Sequence, residues 1–275
     1  MQFFPIADWD DAYANADHIP GADAFIRSWP KDAAKFRKAL VKQGRAALDI
    51  AYGKGERNRL DLFYPETEPR GLAVFVHGGY WMRFDRTFWS HFAAGPLACG
   101  WVVAMPSYSL CPDVRIPAIT KEVASAIEFA AREIKGPIRL AGHSAGGHLV
   151  ARMVCKASPL KKSVQNRIEK TVSISPVSDL RPLYRLKIND VLKLTASEAE
   201  KESPALLEPL PGADVTCWVG AAERSEFVRQ NLLLAAAWHG LGAHVTHVEE
   251  SDRHHFDVID GLQDADSGLT RSFAG

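Results

Sequence analysis

The chain has little of what specialised folds require. Four cysteines in 275 residues, at 99, 111, 155 and 217, include no C-x-x-C pair. That excludes a disulfide scaffold, a zinc knuckle and a thioredoxin-type centre, and leaves buried thiols in a reducing compartment. There is no charge of one sign to spare: 33 basic residues face 33 acidic ones. Nucleic-acid binding rests largely on phosphate neutralisation, so nucleic acid is not an expected partner. No apolar run approaches the roughly 18 residues of a membrane span. The amino end, MQFFPIADWDDAYANAD, lacks the early basic residues and the apolar stretch of a signal peptide, so a soluble cytoplasmic protein without a membrane partner is expected. No G-x-G-x-x-G follows an apolar run, and there is neither a Walker lysine nor an H-E-x-x-H, so no nucleotide cofactor and no metal is expected. His143 and His148 are five apart rather than four, and His244 and His247, three apart in a strand pattern, face opposite ways.

What is present is an alternation. Apolar or alternating runs at 46–52, 59–65, 72–77, 101–106, 138–142, 171–175, 215–220 and 243–249 read as strands. Helical patterns fall around 87–98, 118–135, 145–157 and 225–240. Strands alternating with helices specify an α/β fold, with a mostly parallel central sheet and helices on both faces. Residues 1–45 and 179–212 stand outside the alternation, and a single domain spanning 1–275 is expected, with these two segments forming a small cap. The insertion reads as short helices broken at Pro182, Pro204, Pro209 and Pro211. KDAAKFRKALVKQGR, with six basic residues against one acidic, reads as a solvated helix face.

Three motifs carry chemistry. Gly142-His143-Ser144-Ala145-Gly146 lies between an apolar run and a helical pattern, the setting of a nucleophile elbow. Such a turn exposes Ser144 at a helix N-terminus, where backbone N–H groups favour developing negative charge. His77-Gly78-Gly79-Tyr80-Trp81 follows the run LAVFV and matches an HGG oxyanion loop. The N–H groups of Gly78, Gly79 and Ala145 are the expected oxyanion donors, each worth about a hundredfold to a thousandfold in rate. His77 is expected to brace that loop rather than act as a base. Tyr80 and Trp81 either wall an aromatic pocket or pack beneath the cap, and His143 is a further pocket candidate.

A serine hydroxyl needs a base, and in such sheets the chain order is Ser, acid, His. EESDRHHFDVID follows the last strand; His255 is favoured because an apolar helical pattern begins directly after it, with His254 as its neighbour. The acid is expected where the chain leaves 215–220, at Glu223, with Glu226 one turn further and Asp252 in reserve. It would fix the imidazole tautomer and stabilise the imidazolium.

HGGYW (77–81), GHSAGGHL (142–149), SPVSDLRPL (175–183), NDVLKLT (189–195) with Ser203-Pro204, VGAAERSEFVRQ (219–230) and HFDVI (255–259) together make the chain resemble the α/β-hydrolase superfamily. Within it the chain is most similar to the kynurenine formamidase (arylformamidase) group. That group usually carries Asp at the triad acid; the matching position here is Glu223. The resemblance implies cleavage of a small ester or amide through an acyl-enzyme, in the first place N-formylkynurenine. A broad carboxylesterase is the alternative, and a non-catalytic small-molecule receptor on the same fold a remote one. The sequence does not fix an oligomeric state.

Overall fold

A computed structural model describes residues 5–275. All eight expected strands form: β1 (Ala46–Ala51), β2 (Arg59–Phe63), β3 (Leu72–Val76), β4 (Val102–Pro106), β5 (Ile138–His143), β6 (Ile168–Ile174), β7 (Asp214–Gly220) and β8 (His244–Glu250). They lie in one sheet in the order β1-β2-β4-β3-β5-β6-β7-β8. β2 pairs antiparallel with β1 and β4, and the remaining pairings are parallel.

Wholly apolar strands are covered on both faces because their side chains alternate. In β3, Leu72, Val74 and Val76 join one core, while Ala73 and Phe75 join the other. The first core is closed by α2 (Ile116–Glu133), α3 (Ala145–Met153) and α4 (Ser225–His239), through residues such as Ile119, Leu149 and Trp238. The second is closed by α1 (Ala22–Lys42) and α5 (Gly268–Ala274), through Trp29, Leu40 and Phe273. Edge strand β8 pairs only with β7 among the described residues and leaves His244, Thr246 and Glu249 exposed.

The basic stretch is the outer face of α1. Trp29, Ala33 and Leu40 are buried, while Arg27, Lys31, Lys35, Lys38 and Lys42 are exposed. Arg37 turns inward to donate to Thr87 O at 2.5 Å and Ser90 Oγ at 2.8 Å. The helix expected at 87–98 is instead two 3₁₀ turns, Arg86–Phe88 and Ser90–Ala93, followed by a short α-turn, Ala94–Ala98. Pro96 has no N–H to offer Phe92 O, so a continuous α-ladder cannot run through this segment. In the 179–212 insertion, Pro182 and Pro204 begin short 3₁₀ helices rather than break them. The insertion is pinned from below by buried polar bonds. His148 Nε2 donates to Glu202 O at 2.6 Å, Arg152 to the Glu202 carboxylate at 3.1 Å, and Trp238 Nε1 to Pro204 O at 3.0 Å.

Register places the site. Val76 lies beside Gly142, His143 beside Ile174, Ile174 beside Trp218, and Gly220 beside Glu250. The carboxyl ends of five neighbouring strands therefore share one rim, where open α/β sheets bind ligands.

Candidate active site

Ser144 sits between β5 and α3 with φ 55° and ψ −117°, a left-handed conformation that costs a residue with a Cβ about 1–3 kcal/mol. The turn can be this tight because of Gly146: a Cβ there would lie 1.9 Å from Val76 O. Ser144 N donates to Ile174 O at 2.8 Å, which ties the elbow to the end of β6. Ser144 Oγ makes no hydrogen bond among the described residues and faces a cavity of about 440 Å³ that His255 also lines. Serine–base contacts are often open in the absence of substrate.

The expected acid and base meet. Ala221 N donates to Glu250 O at 2.8 Å and Ala222 N to Arg253 O at 2.9 Å, so the loops after β7 and β8 are laced together. His255 Nδ1 then lies 2.6 Å from Glu223 Oε2, with both side chains almost wholly buried. A carboxylate can only accept, so Nδ1 carries the proton and Nε2 is left as the free basic nitrogen. The other carboxylate oxygen, Glu223 Oε1, accepts from Gly220 N at 2.9 Å and from the hydroxyl of Ser175.

Ser175 is a site residue that sequence reasoning missed. It follows β6 with φ 48°, outside the strand's own geometry, and that backbone turn aims Oγ at the acid. Its one visible signal was a serine at the end of an apolar strand, beginning the stretch SPVSDLRPL.

The alternatives are committed elsewhere. Glu226 accepts Tyr13 Oη at 2.9 Å and a forked pair from Arg229 at 2.8 and 2.7 Å. Asp252 is exposed in the turn after β8. His254 accepts at Nδ1 from Phe256 N at 3.1 Å and packs edge-on to Phe25.

The HGG loop closes over the serine. A Cβ on Gly78 would lie 3.0 Å from Ser144 Cβ, so only glycine lets the loop approach this closely. The N–H groups of Gly78, Gly79 and Ala145 donate to nothing among the described residues. His77 points away from the cavity. Its Nδ1 donates to Gly78 O at 2.7 Å, its ring stacks on Tyr108 at 4.3 Å, and burial pushes its pKa down to about 4.

Tyr80 and Trp81 both have positive φ, 49° and 57°, and the strained turn sends them in opposite directions. Tyr80 lines the cavity and donates to Tyr13 O at 2.6 Å. Trp81 corrects the pocket expectation: it is fully buried in the first core, edge-on to His148 at 5.1 Å, and does not line the cavity. His143 lines it, 4.6 Å from the His255 ring. Burial, and then the neighbouring His255, hold the His143 pKa well below the ordinary value, so it stays neutral and does not compete as a base.

The rest of the wall comes from segments that carry no motif. Asp10, Tyr13, Asn15 and Asp17 line it from the N-terminal segment, and Leu186 and Ile188 from the insertion. An aromatic group, Trp29, Phe84, Trp89 and Phe256, forms one side, with Trp29 and Trp89 centroids 4.8 Å apart. No helix among the described residues is long and apolar enough to cross a membrane.

The sheet order, the elbow and the acid–imidazole pair at one rim define a hydrolase of the α/β class. Residues 73–257 match the family model for the alpha/beta hydrolase fold. A kynurenine formamidase of Salmo salar is 32% identical, with 92% of this chain and 90% of that protein covered. The kynurenine formamidase of Danio rerio is 30% identical, over 82% and 79%. A crystal structure from Silicibacter sp., of a protein provisionally called a thioesterase, has a TM-score of 0.93 and 49% identity, covering 98% of this chain and 99% of that one. Esterase B of Lactobacillus rhamnosis shares the fold at a TM-score of 0.67 and 16% identity, covering 92% of each chain. The chain therefore belongs to the α/β-hydrolase fold family, in the branch that contains the kynurenine formamidases.

Proposed function

We propose that the chain hydrolyses aryl formamides, of which N-formylkynurenine is the type, with Ser144 as nucleophile, His255 as base and Glu223 as acid. The observation that carries this reading is the 2.6 Å contact of His255 Nδ1 with Glu223, on the cavity that holds Ser144 and the Gly78–Gly79 loop. His255 Nε2 takes the Ser144 proton as Oγ bonds to the formyl carbon. The N–H groups of Gly78, Gly79 and Ala145 hold the oxyanion. The imidazolium then gives its proton to the departing aryl nitrogen as the C–N bond breaks. Water repeats the attack on the formyl-serine, releasing formate and restoring Ser144. Glu223 fixes the imidazole tautomer and stabilises the imidazolium. The chain works as one domain, with the N-terminal segment and residues 186–188 of the insertion closing the cavity as a cap.

The names of the Salmo salar and Danio rerio relatives support the formamide, and the aromatic wall, whose rings meet tilted or edge-on, suits an aryl leaving group. A second reading, a carboxylic ester or thioester hydrolase, is favoured by the 49% identity to the Silicibacter protein. Comparing kcat/KM for N-formylkynurenine, short p-nitrophenyl esters and acyl thioesters decides between them. A formamide preference of at least tenfold is expected; a preference for either ester class reverses the assignment. Failure of a fluorophosphonate probe to label Ser144 would revive the non-catalytic receptor.

A further inference from the structure

One residue outside the alternation of strands and helices touches both halves of the chemistry. Tyr13 follows the short helical turn Trp9–Ala12 and is 2% exposed. Connecting segments ordinarily run over the surface, so a tyrosine buried this deeply in one is unusual. Its hydroxyl, its ring and its carbonyl each meet a different part of the site.

The hydroxyl end is anchored. It donates to Glu226 Oε2 at 2.9 Å and accepts from Gln230 Nε2 at 2.9 Å. Both partners are themselves fixed: Arg229 forks onto Glu226, and Gln230 Oε1 accepts from Ser178 N at 2.9 Å and Asp179 N at 2.8 Å. Burial, and then the Glu226 carboxylate, push the Tyr13 phenol above its ordinary pKa, so it stays protonated and donating. The ring meets Phe227 edge-on at 6.0 Å, and Phe227 packs 4.5 Å from the His255 ring. Tyr13 is thus tied to the first turn of α4, beside the base.

The carbonyl end reaches the other half. Tyr13 O accepts from Tyr80 Oη at 2.6 Å. Tyr80 stands in the HGG loop directly after Gly79, with φ 49°, a strained region for a residue with a Cβ. Such strain persists only where the surroundings hold it. The N–H groups of Gly78 and Gly79 make no hydrogen bond among the described residues that would fix their direction. Oxyanion donors work only when they are set before charge develops, so whatever holds this loop bears on the rate.

We propose that Tyr13 is a positioning residue, a brace that holds the oxyanion loop, through Tyr80, in register with the base. The assignment rests on the hydrolytic reading above and adds the N-terminal segment to the machinery that sets the rate.

A brace is cut by one cut, whichever end is taken, and that supplies the test. Tyr80→Phe removes the carbonyl end, Tyr13→Phe the hydroxyl end, and the double variant both. The first readout is the rate at which a short-chain fluorophosphonate labels Ser144. Charge develops on its P=O oxygen, and its leaving group, fluoride, offers no ring for either tyrosine to hold. The second readout is kcat and KM for phenyl acetate or formanilide, whichever the wild type cleaves faster, below the thermal midpoint of every variant. Each single variant should lower the labelling rate and kcat by about fivefold to tenfold, the worth of roughly one hydrogen bond, with KM within about twofold of wild type. The double variant should lose no more than about twofold beyond the slower single one. The proposal is overturned by a single variant within about twofold of wild type, by single losses that multiply in the double variant, or by a loss confined to KM. Tyr80→Phe removes one oxygen and no packing, so it decides the matter alone if Tyr13→Phe does not fold. A wild-type chain that is not labelled and cleaves neither substrate sinks the hydrolytic reading and this inference with it; a labelled wild type with indifferent variants sinks this inference alone.

Discussion

The rim that holds the proposed triad and the wall that faces it treat polar groups in opposite ways. At the rim, Glu223 accepts from Ser175, Gly220 N and His255, so both carboxylate oxygens are engaged. On the wall, Asn15 Nδ2 and Trp89 Nε1 are buried with no partner among the described residues. A saturated network fixes geometry before substrate arrives, whereas an unsaturated one leaves bonds for the substrate to make. On the proposed mechanism, the rim is the region that sets the rate.

The sharpest way to break the rim is to remove its nucleophile. Ser144→Ala should cut kcat by a factor on the order of 10⁶, as in other triads, with the thermal midpoint nearly unchanged. Near-wild-type turnover of purified protein would remove Ser144 from the mechanism. A gentler cut is Ser175→Ala, which takes one of three bonds from Glu223 and touches no substrate. About a tenfold loss in kcat with KM held is expected, the value of roughly one charge-assisted hydrogen bond. A change confined to KM would move Ser175 from the rim's column to the wall's.

The smallest effect concerns stability in acid. Burial pushes His77 down to about 4 and His148 to about 3, so both rings are neutral in the native state at pH 5. In the unfolded chain such rings take up a proton near 6.5, so below that pH the unfolded state binds more protons and stability falls as pH falls. Each ring contributes a slope of up to about 1.4 kcal/mol per pH unit, until the native ring itself titrates. His143 adds in the same direction. Asp260, pushed up to about 6 by burial and then by Asp257, acts oppositely between pH 6 and about 4. Denaturant midpoints should therefore drop between pH 7 and pH 5. His148→Gln, whose amide can still reach Glu202 O, should flatten that drop measurably. An unchanged slope in this variant would mean that His148 is not held neutral.

Much of this was legible because it is local. Strand β3 announces itself as LAVFV, and the elbow as Gly-x-Ser-x-Gly between an apolar run and a helix. His255 was separable from His254 because an apolar pattern starts directly after it. Trp81 was not legible: adjacent residues in a strained turn diverge, and the letters Tyr-Trp do not say which one goes inward. The TVSIS run ends in two serines, 173 and 175, that look alike. One donates to Gly147 O at 2.9 Å and the other to the Glu223 carboxylate, a split decided by the φ 48° turn at Ser175 just past the end of β6. Asn15 lies in a stretch without periodicity, and its place on the wall depends on a cavity built by residues up to 241 positions away, at Phe256.

The bond between Ser175 and Glu223 also bears on transplanting this machinery. A glutamate reaches one methylene further than an aspartate, and here its outer oxygen is held by a hydroxyl presented from a left-handed turn. Chimaeras that exchange the β7 loop with an aspartate-bearing hydrolase should work only if the residue ending β6 travels with it. The two positions, 48 residues apart in the chain, form one inheritable unit.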